Sequence, residues 1–128
     1  MDNKSIPSED RAERRVQPRF EMNRQIFTVV KSDGETLGEL LNISQGGLAL
    51  SYVVGLGSRI MKGTLDVFAA GGISFLKDFP VRTVSDSEIP NDVDFSSIQL
   101  RRMGVVFENL TKTQQQALRD FIMKNKAN

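Results

Sequence analysis

Two short stretches hold the residue types best suited to chemistry. Arg14 to Phe20 reads RRVQPRF, and Asn42 to Gly47, beginning twenty-two residues after Phe20, reads NISQGG. Arg11, Arg14, Arg15, Arg19 and Arg24 fall within fourteen residues that contain no lysine. Arginine offers a planar fork for bidentate contacts and a flat face for stacking, which lysine lacks. Pro18 fixes its own φ and biases Gln17 towards an extended conformation, so the run is not a helical arginine stripe. In the second stretch Asn42 and Ser44 stand two apart, a spacing that projects both from one face of an extended strand. Gly46 and Gly47 lack a Cβ and let a flat ligand approach the backbone. Each stretch alone also has a plainer reading. NISQGG is a tight turn between strands, and RRVQPRF is a solvated arm whose arginines pair with Glu9, Asp10 and Glu13.

The remaining composition narrows the chemistry. The chain of 128 residues has no cysteine and no histidine, which removes disulfides, thiolate nucleophiles and every histidine base or metal ligand. No constellation supports Ser–Lys or paired-carboxylate catalysis, so no catalytic residue, metal or cofactor is expected. Lys and Arg number 17 against 16 Asp and Glu, a net charge of +1 that does not indicate a bulk polyelectrolyte partner. Hydrophobic residues at 39% and charged residues at 26% describe a soluble globular domain. No apolar run nears the roughly 18–20 residues of a membrane span, so no membrane insertion is expected. The N-terminal MDNKSIPSEDRAERR has no apolar core of a secretory signal, and a cytoplasmic location is the expectation.

The elements that must position the two stretches can be read from periodicity. Residues 1 to about 18 are polar, with Pro7 and Pro18 and no sustained apolar period. Residues 1–13 are expected to form a flexible tail ahead of a single domain over 14–126. IFTVVK (26–31) is rich in β-branched residues, and the turn SDGE with Asp33-Gly34 leads into TLGELLNI (36–43), a hairpin signal. LALSYVV (48–54) follows the glycine pair, and further strands are expected over 59–69, 72–88 and 98–110. The 72–88 strand should bend or bulge near Pro80, and about 87–97 is polar enough for a loop. Short strands at this spacing between Gly-rich turns point to an antiparallel barrel. The end differs: Ala117, Leu118, Phe121 and Ile122 mark one helical face, with Thr111 and Gln114 spaced as a capping box behind Leu110. Lys124 and Lys126 suit the helix C-terminus.

Taken together the two stretches resemble the signature of the PilZ domain, a bacterial receptor family for cyclic di-GMP. Arg15-Val-Gln-Pro-Arg19 matches R-x-x-x-R, and Asn42-Ile-Ser44-Gln-Gly-Gly47 matches (D/N)-x-S-x-x-G, in the family's order and spacing. Arg11 and Arg15 also fit R-x-x-x-R, but Arg19-Phe20 abuts the first strand as the family's second arginine does. The segment MGVVFENLTKTQQQALRDFI is similar to the family's last strand and helix, and the likeness covers roughly residues 12–126.

The resemblance implies an all-β fold, a six-stranded antiparallel β-barrel with a C-terminal α-helix, and a ligand clamped on its outer surface by the arginine arm. Arg15 and Arg19 would bond guanine O6/N7 or phosphate and stack on the purine. Asn42 would accept from a guanine N–H, as a neutral group where many members have Asp. Ser44 would bond base or phosphate, with Gly46 and Gly47 leaving room. A basic residue at the position of Arg14 is associated in the family with a stacked pair of ligands. The expected function is that of a cyclic di-GMP receptor which engages or releases an effector protein when its arm is ordered. The competing readings are a non-ligand-binding interaction adaptor of the same fold, which would lack the arginines, and a barrel for single-stranded nucleic acid. The latter wants aromatics on a basic face, and the chain has nine aromatics, mostly at strand or helix-core positions, so neither DNA nor RNA is expected.

Overall fold

β-Branched and aromatic residues alternate with polar ones along most of the chain, and that alternation closes a sheet on itself. The computed structural model describes residues 17–32, 34–53, 62–90 and 99–127. Six strands, β1 (Ile26–Lys31), β2 (Glu35–Ile43), β3 (Gly47–Val53), β4 (Lys62–Ala69), β5 (Ile73–Glu88) and β6 (Leu100–Phe107), precede one helix, α1 (Lys112–Asn125). All neighbours are antiparallel in the order β1-β2-β3-β6-β5-β4, and β1 pairs with β4 to close the barrel. Closure leaves no unpaired sheet edge.

The interior is filled by inward positions of every strand, among them Ile26, Val30, Leu40, Leu48, Leu50, Leu65, Leu76, Val81 and Met103. α1 lays Leu118, Phe121 and Ile122 on this core, and Phe121 packs its ring 5.0 Å from that of Phe75. Its start is fixed by the expected box: Thr111 Oγ1 accepts from the Gln114 N–H at 3.0 Å, and Gln114 Oε1 accepts from the Thr111 N–H at 3.0 Å. Lys124 lies in its last turn, and Lys126 is its C-cap.

The strands expected over 26–31, 36–43, 48–54 and 72–88 form within one residue of those bounds. β5 reaches Glu88, so it takes in the first residues of the expected loop; Ile89 and Pro90 follow outside any strand, and 91–97 lie outside the described residues, as do 59–61 of the fourth strand and Asp33 of the first turn. The β4–β5 turn uses Gly71 and Gly72 at φ 92° and 85°, a region that favours glycine.

Three strand pairs contain bulges. In β5 the expected irregularity falls at Asp78, two residues before Pro80, where the backbone turns to φ 58° and its N–H donates to Asp66 Oδ1 at 2.8 Å. In β2, Leu40 pairs with Leu50 and Asn42 with the adjacent Ala49, which makes Leu41 an extra residue. In β5, Thr83 pairs with Val105 and Ser85 with the adjacent Gly104, which makes Val84 another. The last two shape the site.

Candidate functional site

Strict alternation along β2 would send Thr36, Gly38, Leu40 and then Asn42 into the barrel. The extra residue at Leu41 reverses the parity, so Ile43 is buried and Asn42 stands on the outer face. An amide that would otherwise need partners in the core is thereby presented to the exterior.

The arm reaches Asn42 through the backbone. Phe20 forms an isolated antiparallel bridge with Ile43, with N–H···O distances of 2.8 and 3.0 Å in the two directions. The bridge sets Arg19 beside Asn42, and Arg19 Nη1 donates to Asn42 Oδ1 at 2.7 Å. Farther on, the entering segment pairs with the end of the helix: Asn23 N–H donates to Asn125 O at 2.7 Å, Ala127 N–H donates to Glu21 O at 2.6 Å, and Met22 bridges Lys126. Lys126 also lies over the Phe20 ring, 5.2 Å from its centroid.

The turn after β2 is tied by its own side chain. Ser44 is buried; its hydroxyl accepts from the Gly46 N–H at 3.1 Å and donates to Gly47 O at 3.3 Å, while the Ser44 N–H donates to the same carbonyl at 2.8 Å. Asn42 and Ser44 therefore differ in exposure, because Ser44 lies past the strand, inside the turn. A Cβ on Gly46 would collide with Oε1 of Gln17, so that glycine admits the arm. A Cβ on Gly47 would collide with the Val105 carbonyl oxygen, so that glycine lets β3 approach β6. Phe107 N–H donates to Gly46 O at 2.9 Å and fastens the turn to β6. Arg14 and Arg15 lie outside the described residues.

Between the arm and the sheet lies a cleft of about 670 Å³, lined by Arg19 and Asn42 on one margin and by Val84, Ser85 and Arg102 on the other, over a floor that includes Ala49 and Gly104. Register explains the floor. Asn42 pairs with Ala49, Ala49 with Gly104 and Gly104 with Ser85, a single row across β2, β3, β6 and β5 whose two central members are the smallest residues available. The described lining residues include two arginines and no carboxylate. Such a cleft can accept a flat anion, with donors at its margins and small side chains beneath.

Sequence reasoning placed Arg19, Asn42 and the NISQGG turn together, and they do meet here. It missed the β5–β6 margin, because the pairing of Ser85 with Gly104 joins residues nineteen apart across a bulge. The available signal was alternation in LRRMGVVF, which puts Arg102 and Gly104 on the face opposite Met103 and Val105.

The sequence profile of the PilZ domain matches residues 13–124. Among solved structures, the PilZ domain of YcgR from Escherichia coli with c-di-GMP is similar at a TM-score of 0.68 and 18% identity, covering 87% of this chain and 90% of that one. The structure of YcgR in complex with c-di-GMP, also from Escherichia coli, gives 0.63 at 19% identity over 87% of this chain and 45% of that one. The MrkH–c-di-GMP complex of K. pneumonia gives 0.64 at 14% identity over 86% and 51%. The chain spans about half the length of the latter two. At such identities the likeness concerns the fold. A search of curated proteins returns no significant match. Among the described residues no helix is long and apolar enough to cross a membrane.

Proposed function

The chain belongs to the PilZ domain family, and on that premise we propose that it is a cytoplasmic, non-enzymatic receptor for cyclic di-GMP that regulates an effector protein. The observation that carries the reading is the Phe20–Ile43 bridge, which holds Arg19 against Asn42 at the margin of a cleft whose described lining has no acid. Arg15, four residues before Arg19, would supply the second fork to guanine or phosphate. Asn42 serves Arg19 in the first instance, since its carbonyl already accepts from that guanidinium. Ser44 and Gly46 act by shaping the turn and seating the arm, and Gly47 by holding β3 against β6. The domain is proposed to run over 14–126, with 1–13 as a tail that takes no part in the site.

Ligand binding would fix the arm from Arg14 to Arg19 over the cleft. Ordering costs ~1–2 kcal/mol per backbone residue, so only a short segment can be immobilised. The remodelled surface is proposed to meet a protein rather than nucleic acid, in keeping with the net charge of +1. Titration calorimetry with cyclic di-GMP, GTP and GMP tests the reading: saturable binding is expected for the cyclic dinucleotide alone. Arg14 would let a second, stacked ligand bind, giving about two per chain in the wild type and about one in Arg14→Leu. A folded protein without heat of binding for cyclic di-GMP overturns the receptor reading, and a wild-type endpoint of one removes only the role of Arg14.

A further inference from the structure

From the guanidinium on the far margin of the cleft, which bonds no described side chain, we infer that Arg102 is a second anion clamp, which holds a phosphate of the ligand from the barrel wall opposite Arg19. The inference rests on the receptor reading above and names a contact outside both sequence motifs.

Arg102 pairs across the sheet with Ser51 on β3 and with Ser87 on β5. These three residues form the row next to Asn42–Ala49–Gly104–Ser85, on the same outer face. Strands lie about 4.8 Å apart and residues of one face about 6.7 Å apart along a strand, so the α-carbons of Asn42 and Arg102 stand roughly 12 Å from each other. Arg19, held at Asn42, and Arg102 thus rise from opposite margins of one floor. Ala49 and Gly104 keep that floor low. A Cβ on Gly104 would come within 2.5 Å of Ser85 Oγ, so the small residue also seats the serine beside it.

The charge pattern around β6 isolates this residue. Its neighbour Arg101 bonds Asp86 through Nε at 2.7 Å, Arg82 bonds Glu108 at 2.9 Å, and Lys31 bonds Asp66 and Asp78 at 3.1 and 3.0 Å. Arg102 is exposed and makes no side-chain hydrogen bond or ion pair with any described residue, although it lines the cleft. No described carboxylate lines that cleft. A guanidinium without a counter-charge among the described residues, beside a concave surface whose described lining has no acid, favours an anion there. The phosphodiesters of a cyclic dinucleotide are permanently ionised, whereas its bases are neutral. A contact set by charge therefore falls to phosphate.

The test uses the full chain, cyclic di-GMP and titration calorimetry at low and high salt. Arg102→Gln is expected to weaken binding about tenfold or more, since hydrogen bonds to charged groups exceed neutral ones. Arg102→Lys should recover most of that loss, because a phosphate needs the charge and not the fork. Lys77→Gln removes an equal charge from β5, eight residues from Ser85, and should leave affinity within about twofold at the salt where long-range fields are screened. Thermal midpoints of the unliganded variants should match the wild type, because Arg102 bonds no described side chain. If the wild type binds and Arg102→Gln binds equally well, this inference fails alone. Equal weakness of the Gln and Lys variants overturns the phosphate assignment, as does an equal loss in Lys77→Gln. A wild type that binds no cyclic di-GMP overturns the receptor reading and this inference together.

Discussion

Arg101 and Arg102 are neighbours on one strand and have opposite surroundings. Arg101 is half-buried at the barrel margin, where Nε meets Asp86 Oδ1 at 2.7 Å, Nη2 meets the Asp86 carbonyl at 3.1 Å, and the Tyr52 hydroxyl completes the cluster by donating to Asp86 Oδ2 at 2.7 Å. Asp86 raises the pKa of the Arg101 guanidinium, and burial, followed by the Asp86 bond, raises that of the Tyr52 phenol. Arg102 faces a cleft whose described lining has no acid. A cation answered by the protein's own carboxylate joins strands, whereas Arg102, with no carboxylate beside it among the described residues, is the one proposed to meet a ligand. The bulges divide similarly. That at Asp78 is closed by Asp66 and Lys31, whereas those at Leu41 and Val84 turn Asn42 and Val84 towards the cleft.

The widest break in this comparison should come from the arm. Arg15→Ala and Arg19→Ala are each expected to weaken cyclic di-GMP binding by about a hundredfold or more, with the thermal midpoint of the unliganded protein moving by only a few degrees. Calorimetric titration beside differential scanning calorimetry would show it; an unfolded Arg19→Ala would make the arm structural.

Gly47→Ala should give the converse result. A methyl group directed at the Val105 carbonyl forces β3 away from β6 and should cost about 3 kcal/mol, read as a lower urea midpoint. A mid-sized effect is expected for Asp86→Asn, which leaves Arg101 without its counter-charge. The thermal midpoint should drop by several degrees while affinity for the dinucleotide stays put. If affinity falls as well, the two arginines are not separated as described.

The smallest effect concerns pH and sharpens the cohesive half. The native Tyr52 phenol titrates above its ordinary 10.0, so its protonated form is the one that folding favours. Its contribution is complete below the unfolded value and disappears as pH climbs through the native one. Midpoints of wild type and Tyr52→Phe should therefore differ most at neutral pH and converge as pH rises beyond 10.0 and through the native value. A gap that widens with alkali would refute the assignment.

Much of the fold was legible because each element carries its own local signal. The β-branched IFTVVK became β1, and Thr111 with Gln114 fixed the start of α1 in both directions. The arm-side half of the site was legible as well, since Arg19 and Asn42 belong to compact motifs. Three things were not. The outward position of Asn42 depends on one extra residue at Leu41, which period-two counting cannot detect. Ser44 looks like a strand residue two places beyond Asn42, yet its hydroxyl is engaged by the turn it begins. The Val84–Ser85–Arg102 margin arises from pairing between distant strands, and no local propensity encodes which strand will lie beside which.

The short ladder between residues 20–23 and 125–127 has a mechanical consequence. Because Phe20 joins β2 on one side while Glu21 and Asn23 bond the end of α1 on the other, the two ends of the folded unit are laced into one seam. Any segment attached after Ala127 would pull on that seam two residues from Arg19. Tension applied there and tightening of the arm over a ligand would load the same few hydrogen bonds from opposite directions. By reciprocity each must then alter how readily the other occurs. A fused domain at that end would be tethered to the segment that carries Arg19 rather than merely hung beside it.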